Sequence, residues 1–240
     1  MSRDRFKPVK LDPAATLERF RELFGHDILE RYGMSETVML TSNPCRATDG
    51  ERRGGSVGRP LPGVRVRVVD DQDHLLAAGQ TGHVQVKGPN VFKGYWRNPE
   101  KTAEAFRGEW CSVGDMARRD EDGYIWLVDR KSNMIISGGE NIYPSEVEGV
   151  LGAHPQVKDV AVIGIPHDKW GETVQAVVVL HEGQTGDVAG MTAWCRERLA
   201  AFKCPRSIVF ISDTDMPRTA TGKILHRVLR QRIQPLDAAA

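Results

Sequence analysis

The sequence predicts a mixed α+β protein whose two halves follow different patterns. In the first half, Val64, Val66 and Val68 alternate with arginines, and a period of two indicates half-buried strands. In the second half, helical apolar faces alternate with continuous apolar runs such as residues 160–165, which are typical of buried strands. A charged turn at residues 129–131 separates the two patterns. We therefore expect a small antiparallel barrel or sheet, followed by a compact α+β domain of roughly 110 residues.

Composition restricts the class of protein. A length of 240 residues fits one or two domains, and an apolar content of 40% allows a core. The net charge of +1 gives no electrostatic case for a nucleic-acid partner. Four cysteines without a CxxC pair favour a reducing compartment, and no apolar run reaches membrane-spanning length. Residues 1–5 are charged, unlike the apolar core of a signal peptide, so we expect a cytoplasmic protein.

The first candidate site follows a predicted helix. Apolar residues at helical spacing from Leu17 to Phe24 predict that helix, and Gly25 ends it.

Residues 28–37 then read as a short strand running into a glycine turn, which would place Tyr32, Ser35 and Glu36 at a strand end. A tyrosine ring can lie against a purine, a serine hydroxyl can donate to a phosphate oxygen, and a glutamate can hold Mg²⁺. The alternative is a tyrosine packed under a turn beside a solvated glutamate.

A second candidate site surrounds the hairpin turn predicted at residues 120–123, which leads into a strand ending at Val128. Asp115, before this turn, can accept hydrogen bonds from vicinal hydroxyls, as acidic residues do with ribose. Arg130, after it, offers a rigid fork of donors. For Asp115, the alternative is an ordinary turn residue after Gly114.

Helices and strands alternate in the second half. Pro144 fits the first turn of a helix. The other predicted elements are a helical face at Met191, Trp194, Cys195 and Leu199, a last helix with its apolar face between Ile224 and Ile233, and strands at 160–165, 174–179 and 207–211.

Two loops of the second half carry further candidates. Gly138-Gly139 lets the backbone turn sharply or approach a ligand closely. Lys223 follows a glycine in a loop before the last helix, but Ile224 stands where a Walker A loop requires serine or threonine. A solvated surface charge is the alternative for this lysine.

Four motifs in order resemble those of the adenylate-forming enzymes, the acyl-CoA synthetase and luciferase superfamily. Residues 32–36 are similar to Tyr-Gly-x-Thr-Glu, and residues 82–94 to a Gly-Glu…Gly-Pro…Gly-Tyr motif. Residues 113–115 resemble Thr-Gly-Asp, with valine in place of threonine, and residues 217–223 resemble Pro-Arg-Thr-x-x-Gly-Lys. The similarity extends over nearly the whole chain.

The resemblance implies activation of a carboxylic acid by ATP to an acyl-adenylate, with transfer of the acyl group to coenzyme A. A positioned ammonium would lower the barrier when the carboxylate attacks the α-phosphate, because negative charge builds up there. The roles implied by motif are Tyr32 on adenine, Ser35 on phosphate, Glu36 on Mg²⁺, Asp115 and Arg130 on ribose, and Lys223 on the reacting carboxylate and α-phosphate.

The resemblance also implies a division into domains. Residues 1–128 would be the C-terminal portion of the large AMP-binding domain, including a barrel-like subdomain. Residues 129–132 would be a hinge, and residues 133–240 a mobile domain whose rotation removes the Lys223 loop and brings Gly138-Gly139 towards the pantetheine thiol. Ser132 stands where the family usually has aspartate or lysine at the hinge.

The Ser/Thr/Gly-rich phosphate loop of the family does not occur in this sequence. We therefore expect a C-terminal fragment of a ligase with exposed apolar surface in its first 55 residues or so. One alternative is a catalytically silent remnant, or a half-enzyme that needs a separate N-terminal part. Another is a ligase that delivers the acyl group to a carrier-protein thiol or an amine.

The resemblance implies a small carboxylic acid as the substrate, and the sequence resembles two subfamilies that use different acids. Residues 30–37, 41–44 and 50–53 look similar to malonyl-CoA synthetases, in which a cation such as Arg31 could pair with a second carboxylate. A structural arginine is the alternative. From Asp115 onward the chain looks more like general fatty-acyl or aryl-CoA ligases.

Overall fold

A computed structural model describes residues 13–233, apart from the side chains of residues 13–16 and residue 47. The described chain divides into two compact units, an N-terminal unit that ends at Ser132 and a C-terminal unit that begins at Asn133. Both units mix helices with sheets, which confirms the predicted α+β class. Residues 1–5, on which the signal-peptide argument rests, lie outside the described part of the chain.

The N-terminal unit contains two helices and eight strands. In chain order they are α1 (Pro13–Phe24), β1 (Arg31–Met34), β2 (Val38–Ser42), β3 (Arg59–Pro60), β4 (Arg65–Val69), β5 (Thr81–Lys87), α2 (Pro99–Ala105), β6 (Phe106–Arg107), β7 (Trp110–Arg119) and β8 (Ile125–Arg130), with a 3₁₀ turn at Ala47–Asp49. Strands β1, β2 and β3 form one antiparallel sheet. The other five form a second antiparallel sheet in which β5, β6 and β8 all pair with β7. This described five-stranded sheet is open. Of the two predicted alternatives, a small barrel or a sheet, the sheet is therefore correct.

Alternation along the strands builds the core of this unit. The inward residues Val84 and Val86 of β5 are fully buried, and they pack with Ile125 and Leu40. On α1, Leu23 and Phe24 expose 59% and 61% of their surface, in agreement with the expected apolar surface.

Two strand boundaries of the N-terminal unit differ from the prediction, and one helix was missed. Strand β1 begins at Arg31 rather than Ile28, so Tyr32 lies inside the strand. Strand β8 continues past Val128 to Arg130, because Arg130 pairs in register with Asp115 of β7. Helix α2 was not predicted, although its signal is present: the side chain of Asn98 accepts the Lys101 N–H at 3.0 Å, directly before a proline.

The C-terminal unit contains three helices and five strands. After a 3₁₀ turn at Lys131–Asn133 come β9 (Ile135–Ser137), β10 (Glu140–Ile142), α3 (Pro144–Gly152), β11 (Val157–His167), β12 (Gly171–Leu180), α4 (Val188–Arg196), a 3₁₀ turn at Ala201–Lys203, β13 (Ser207–Phe210) and α5 (His226–Arg232). The sheet order is β10-β9-β12-β11, and β13 runs parallel to β12.

The long hairpin of β11 and β12 is buried on both faces. One face packs in a cluster that includes Leu151 and Met191, and the other in a cluster that includes Met216 and Leu229. Helix α5 begins at His226, two residues later than the apolar pattern from Ile224 suggests, because Ile224 forms an antiparallel bridge with Arg218.

Candidate functional site

The turn between β1 and β2 carries Ser35 and Glu36, while Tyr32 precedes it in β1. Ser35 is exposed, and Glu36 is half-buried. The hydroxyl of Tyr95 donates to Glu36 Oε1 at 3.0 Å, and the Phe92 N–H donates to the Glu36 carbonyl at 2.7 Å. The segment around Tyr95 therefore orients the Glu36 carboxylate.

Three of the predicted residues of the N-terminal unit, Tyr32, Asp115 and Arg130, lie close together. The hydroxyl of Tyr32 donates to Oδ2 of Asp115, and Arg130 Nε lies 3.7 Å from Asp115 Oδ1. Strand pairing explains this arrangement, since Asp115 and Arg130 are directly opposite on β7 and β8. Burial, followed by the hydrogen bond to the Asp115 carboxylate, raises the pKa of Tyr32 far above its ordinary value. The arrangement holds an acceptor and a cation side by side at the edge of an aromatic ring.

The chemistry of Glu36 fits Mg²⁺. Magnesium prefers oxygen ligands, keeps several waters, and often takes only one or two carboxylates from the protein together with phosphate oxygens. Glu36 offers one such carboxylate, and the hydrogen bond from Tyr95 leaves its second oxygen available. Over residues 13–233 we find no cluster of three or more metal-binding side chains.

A cavity of 590 Å³ lies beside the small sheet of the N-terminal unit. Two guanidinium groups line it, those of Arg31 from β1 and Arg59 from β3, together with the exposed Cys45. Arg59 Nη2 donates to the Asp49 carbonyl at 2.9 Å, while Arg31 is exposed. The acidic residue Asp49 also lines the cavity, so the two arginines leave a net positive charge that the cavity can present to an anionic group.

Gly138 and Gly139 form the tight turn between β9 and β10, with φ angles of +60° and +88°. Gly138 donates its N–H to the Trp170 carbonyl at 2.9 Å, and a Cβ at this position would lie 2.8 Å from the indole ring. Only glycine fits both the conformation and this close approach.

A second cavity of 160 Å³ adjoins this turn. Gly138, Trp170, Phe202 and Arg206 are among the residues that line it, and the Arg206 guanidinium carbon lies 5.3 Å from the Trp170 ring centre. No sequence pattern singles out Trp170 or Arg206, because their proximity to Gly138 depends on the pairing of β9 with β12.

Lys223 is exposed near the tip of a short hairpin in the C-terminal unit. The Thr219 N–H donates to the Lys223 carbonyl at 2.8 Å, and the Lys223 N–H donates to Thr219 Oγ1 at 3.1 Å. The predicted loop is thus a hydrogen-bonded turn, with Gly222 at a φ of +84°. Ser132 lies in the 3₁₀ turn at Lys131–Asn133, where the two units meet along the chain.

Within the described part of the chain, no helix combines the length and apolar character needed to cross a bilayer.

Two family models match the chain. Residues 12–96 match the model described as AMP-binding enzyme, and residues 146–223 match the model described as AMP-binding enzyme C-terminal domain. The matched ranges contain Tyr32, Ser35 and Glu36 in the first case and Lys223 in the second.

Individual relatives agree with the family models. The chain is 41% identical over 221 residues to 2-succinylbenzoate–CoA ligase from Geobacillus kaustophilus, covering 92% of this chain and 44% of the relative. It is 39% identical over 218 residues to a long-chain-fatty-acid–CoA ligase from Bacillus subtilis, covering 90% and 38%. The chain thus spans less than half the length of these relatives.

Among solved structures, MatB from Rhodopseudomonas palustris with ATP bound matches with a TM-score of 0.85 and 44% identity. The match covers 93% of this chain and 44% of the MatB chain. Both family models, the curated relatives and this structure agree on one assignment: the chain belongs to the AMP-binding family of adenylate-forming enzymes.

Proposed function

We propose that this chain takes part in the ATP-dependent conversion of a carboxylic acid into its coenzyme A thioester. In the first step, a carboxylate oxygen attacks the α-phosphorus of ATP, and the bond to pyrophosphate breaks. In the second, the thiol sulfur of coenzyme A attacks the acyl carbon, the thiol proton is lost, and AMP leaves. The observation that carries the proposal is the convergence of Tyr32, Asp115 and Arg130 in one place.

Each side chain has a role that its geometry supports. Asp115 offers carboxylate oxygens to the ribose hydroxyls, and Arg130 reinforces this contact as a donor. The Tyr32 ring lies against the adenine, and Ser35, exposed in the turn, donates to a phosphate oxygen. Glu36 would hold Mg²⁺, which supplies charge compensation for the phosphates when bound. The exposed ammonium of Lys223 would stabilise the charge that develops at the α-phosphate.

The acceptor is proposed to be coenzyme A. The cavity beside Gly138 supports this, because it pairs close backbone approach with an indole face and the cation of Arg206. An aromatic face flanked by a guanidinium suits a ligand that carries both a flat ring and phosphate groups.

For the acid, we propose a compound with a second carboxylate, such as malonate. Arg31 and Arg59 in the larger cavity support this choice, since two guanidinium groups can pair with an additional carboxylate. A long-chain or aromatic acid is the competing substrate, in keeping with the names of the relatives.

We further propose that residues outside these 240 supply the phosphate-binding loop, because the sequence contains no Ser/Thr/Gly-rich run of that type. The chain would then be silent alone and act with a separate N-terminal part. The proposed place of action is the cytoplasm, where four free cysteines persist.

The test separates the two steps. Carboxylate-dependent ATP–pyrophosphate exchange and thioester formation from supplied acyl-adenylate are measured with malonate, acetate, octanoate and benzoate, for the chain alone and with the N-terminal part of a relative. We expect exchange only with the added part, a preference for malonate that Arg31→Met abolishes, and loss of exchange in Lys223→Ala. Lys93→Ala, at another exposed lysine, serves as the matched control. Exchange by the chain alone would disprove the need for an external loop, and no activity in any combination would disprove the ligase proposal.

A further inference from the structure

The Lys223 hairpin is attached to the rest of the C-terminal unit by side chains at both of its ends. At the first end, Arg218 Nη2 lies 2.6 Å from Asp159 Oδ2 and 3.3 Å from Asp213 Oδ1. Its Nη1 also approaches the Gly222 carbonyl at 3.5 Å, inside the hairpin itself. Because the Asp159 side chain is only 11% exposed, water competes poorly for this ion pair.

At the second end, His226 contacts a buried carboxylate. His226 Nε2 lies 2.7 Å from Glu148 Oε1, and the side chains are 16% and 9% exposed. The Val162 N–H donates to the same oxygen at 3.0 Å. Since a carboxylate accepts both bonds, His226 must present an N–H at Nε2. Glu148 of α3 thereby joins strand β11 to the first residue of α5, three positions after Lys223.

Both attachments lead to the same strand. Asp159 belongs to β11, and Val162, which shares the Glu148 oxygen, lies three residues further along it. The hairpin between these attachments is closed by its own backbone bonds, including Leu225 N–H to the Pro217 carbonyl at 2.9 Å. A lysine held in this way reaches its reacting group with little loss of conformational freedom.

We propose that Arg218 and His226 are positioning residues that hold the Lys223 hairpin on β11, through Asp159 and Glu148 respectively. The inference rests on the proposed function for the role of the lysine, but not for the attachment. Under the proposed function, Lys223 acts only in the adenylation step and not in thioester formation. A residue that works by placing this lysine must therefore affect adenylation and spare thioester formation, whereas a residue that only stabilises the unit affects both steps.

The first readout does not depend on activity. Hydrogen exchange, followed by mass spectrometry, is measured at the four hairpin amides of Thr219, Gly222, Lys223 and Leu225. The variants are Arg218→Met and His226→Ala, with His226→Gln as the conservative replacement that keeps an N–H donor. Lys203→Met is the matched control, since it removes another ion pair of the same unit, the 2.7 Å contact with Glu146.

We expect hairpin exchange to accelerate about tenfold or more in Arg218→Met and His226→Ala, to be largely restored in His226→Gln, and to be unchanged in Lys203→Met. Unchanged hairpin exchange in both principal variants would overturn the proposal. If His226→Ala fails to fold, Arg218→Met and Arg218→Lys decide the question at the first attachment, since lysine keeps the charge but lacks the second nitrogen, Nη1, that approaches the Gly222 carbonyl.

The second readout uses the complete two-step assay. Loss of about tenfold to a hundredfold in ATP–pyrophosphate exchange, with thioester formation from supplied acyl-adenylate within about twofold of wild type, would support positioning. An equal loss in both steps would overturn it. Accelerated hairpin exchange in a chain that shows no ligase activity in any combination would refute the proposed function while leaving the attachment established.

Discussion

Replacing Tyr32 with phenylalanine removes one oxygen and leaves the ring in place. The lost hydroxyl donates to Asp115, whose side chain is 18% exposed, and no other atom changes. A hydrogen bond to a charged group contributes about 1.5–3 kcal/mol. Because water and the nearby Arg130 can partly replace the donor, we expect the lower limit, about 1.5 kcal/mol of lost stability for the N-terminal unit at pH 8.

The difference should shrink at high pH. The pKa of Tyr32 is raised from its ordinary value of 10.0, first by burial and then by the Asp115 carboxylate. A raised pKa means that above pH 10 the unfolded chain releases a proton that the folded chain retains, so the stability contributed by Tyr32 falls as pH rises. At pH 10.5 the lost free energy of unfolding amounts to about 0.8 kcal/mol. The Tyr32→Phe variant has no phenol to titrate, so its stability does not fall in this way.

Urea denaturation at pH 8 and pH 10.5 tests both numbers. Emission from the three tryptophans of the N-terminal unit, Trp96, Trp110 and Trp126, reports on that unit if Trp170 and Trp194 of the other unit are replaced by phenylalanine. A double-mutant cycle with Asp115→Asn isolates the pair and should give a coupling energy of about 1 kcal/mol at pH 8. A Tyr32→Phe effect below about 0.3 kcal/mol at pH 8, or one that is equal at both pH values, would show that the Tyr32–Asp115 hydrogen bond does not stabilise the unit as described.

Three further substitutions or titrations test other parts of the structure. Gly58→Ala should prevent folding of the N-terminal unit because the new Cβ would lie 1.9 Å from the Ser42 carbonyl carbon. Gly63→Ala, at the same φ of +81° but with open space around it, should lower the free energy of unfolding measured in urea by only about 1 kcal/mol. Leu151→Ala, at a fully buried position, should cost about 3 kcal/mol, also measured by urea. Thiol titration with an aromatic disulfide should find one fast-reacting group, Cys45, in the native chain and four in denaturant, because the other three cysteines are buried and burial raises their pKa values.

Local patterns predicted the elements that make up the fold. Alternation at Val66 and Val68 placed β4, and Pro144 marked the first residue of α3, because both signals act over a few neighbouring residues. The relation between distant residues could not be predicted in this way. The bond from Tyr95 to Glu36 joins positions 59 residues apart, and no periodicity in either segment indicates that they meet.

The candidate site shows the same limit. Motifs singled out Gly138 and Lys223, yet the indole of Trp170 behind the glycine and the carboxylate of Glu148 beneath the lysine hairpin were missed. Trp170 contacts Gly138 through the pairing of β9 and β12, and Glu148 meets His226 from 78 residues away. Strand pairing and helix docking create such contacts, so they appear only in three dimensions.

Burial on both faces of the β11–β12 hairpin has a consequence for how the chain tolerates insertions. A slip of one residue in most sheets turns apolar side chains towards water, which opposes the slipped pairing strongly. Here it would exchange one apolar set for another, so hydrophobic collapse alone does not select the correct pairing. A polar contact instead fixes the position of β12 against its other neighbour: Gln175 is fully buried, and its amide N–H donates to Ser207 Oγ at 3.1 Å across the β12–β13 pair. A residue inserted before Gln175 would leave this buried amide without its hydrogen-bond partner, at a cost of about 1–3 kcal/mol. The result would be a collapsed sheet with the wrong pairing rather than an unfolded chain.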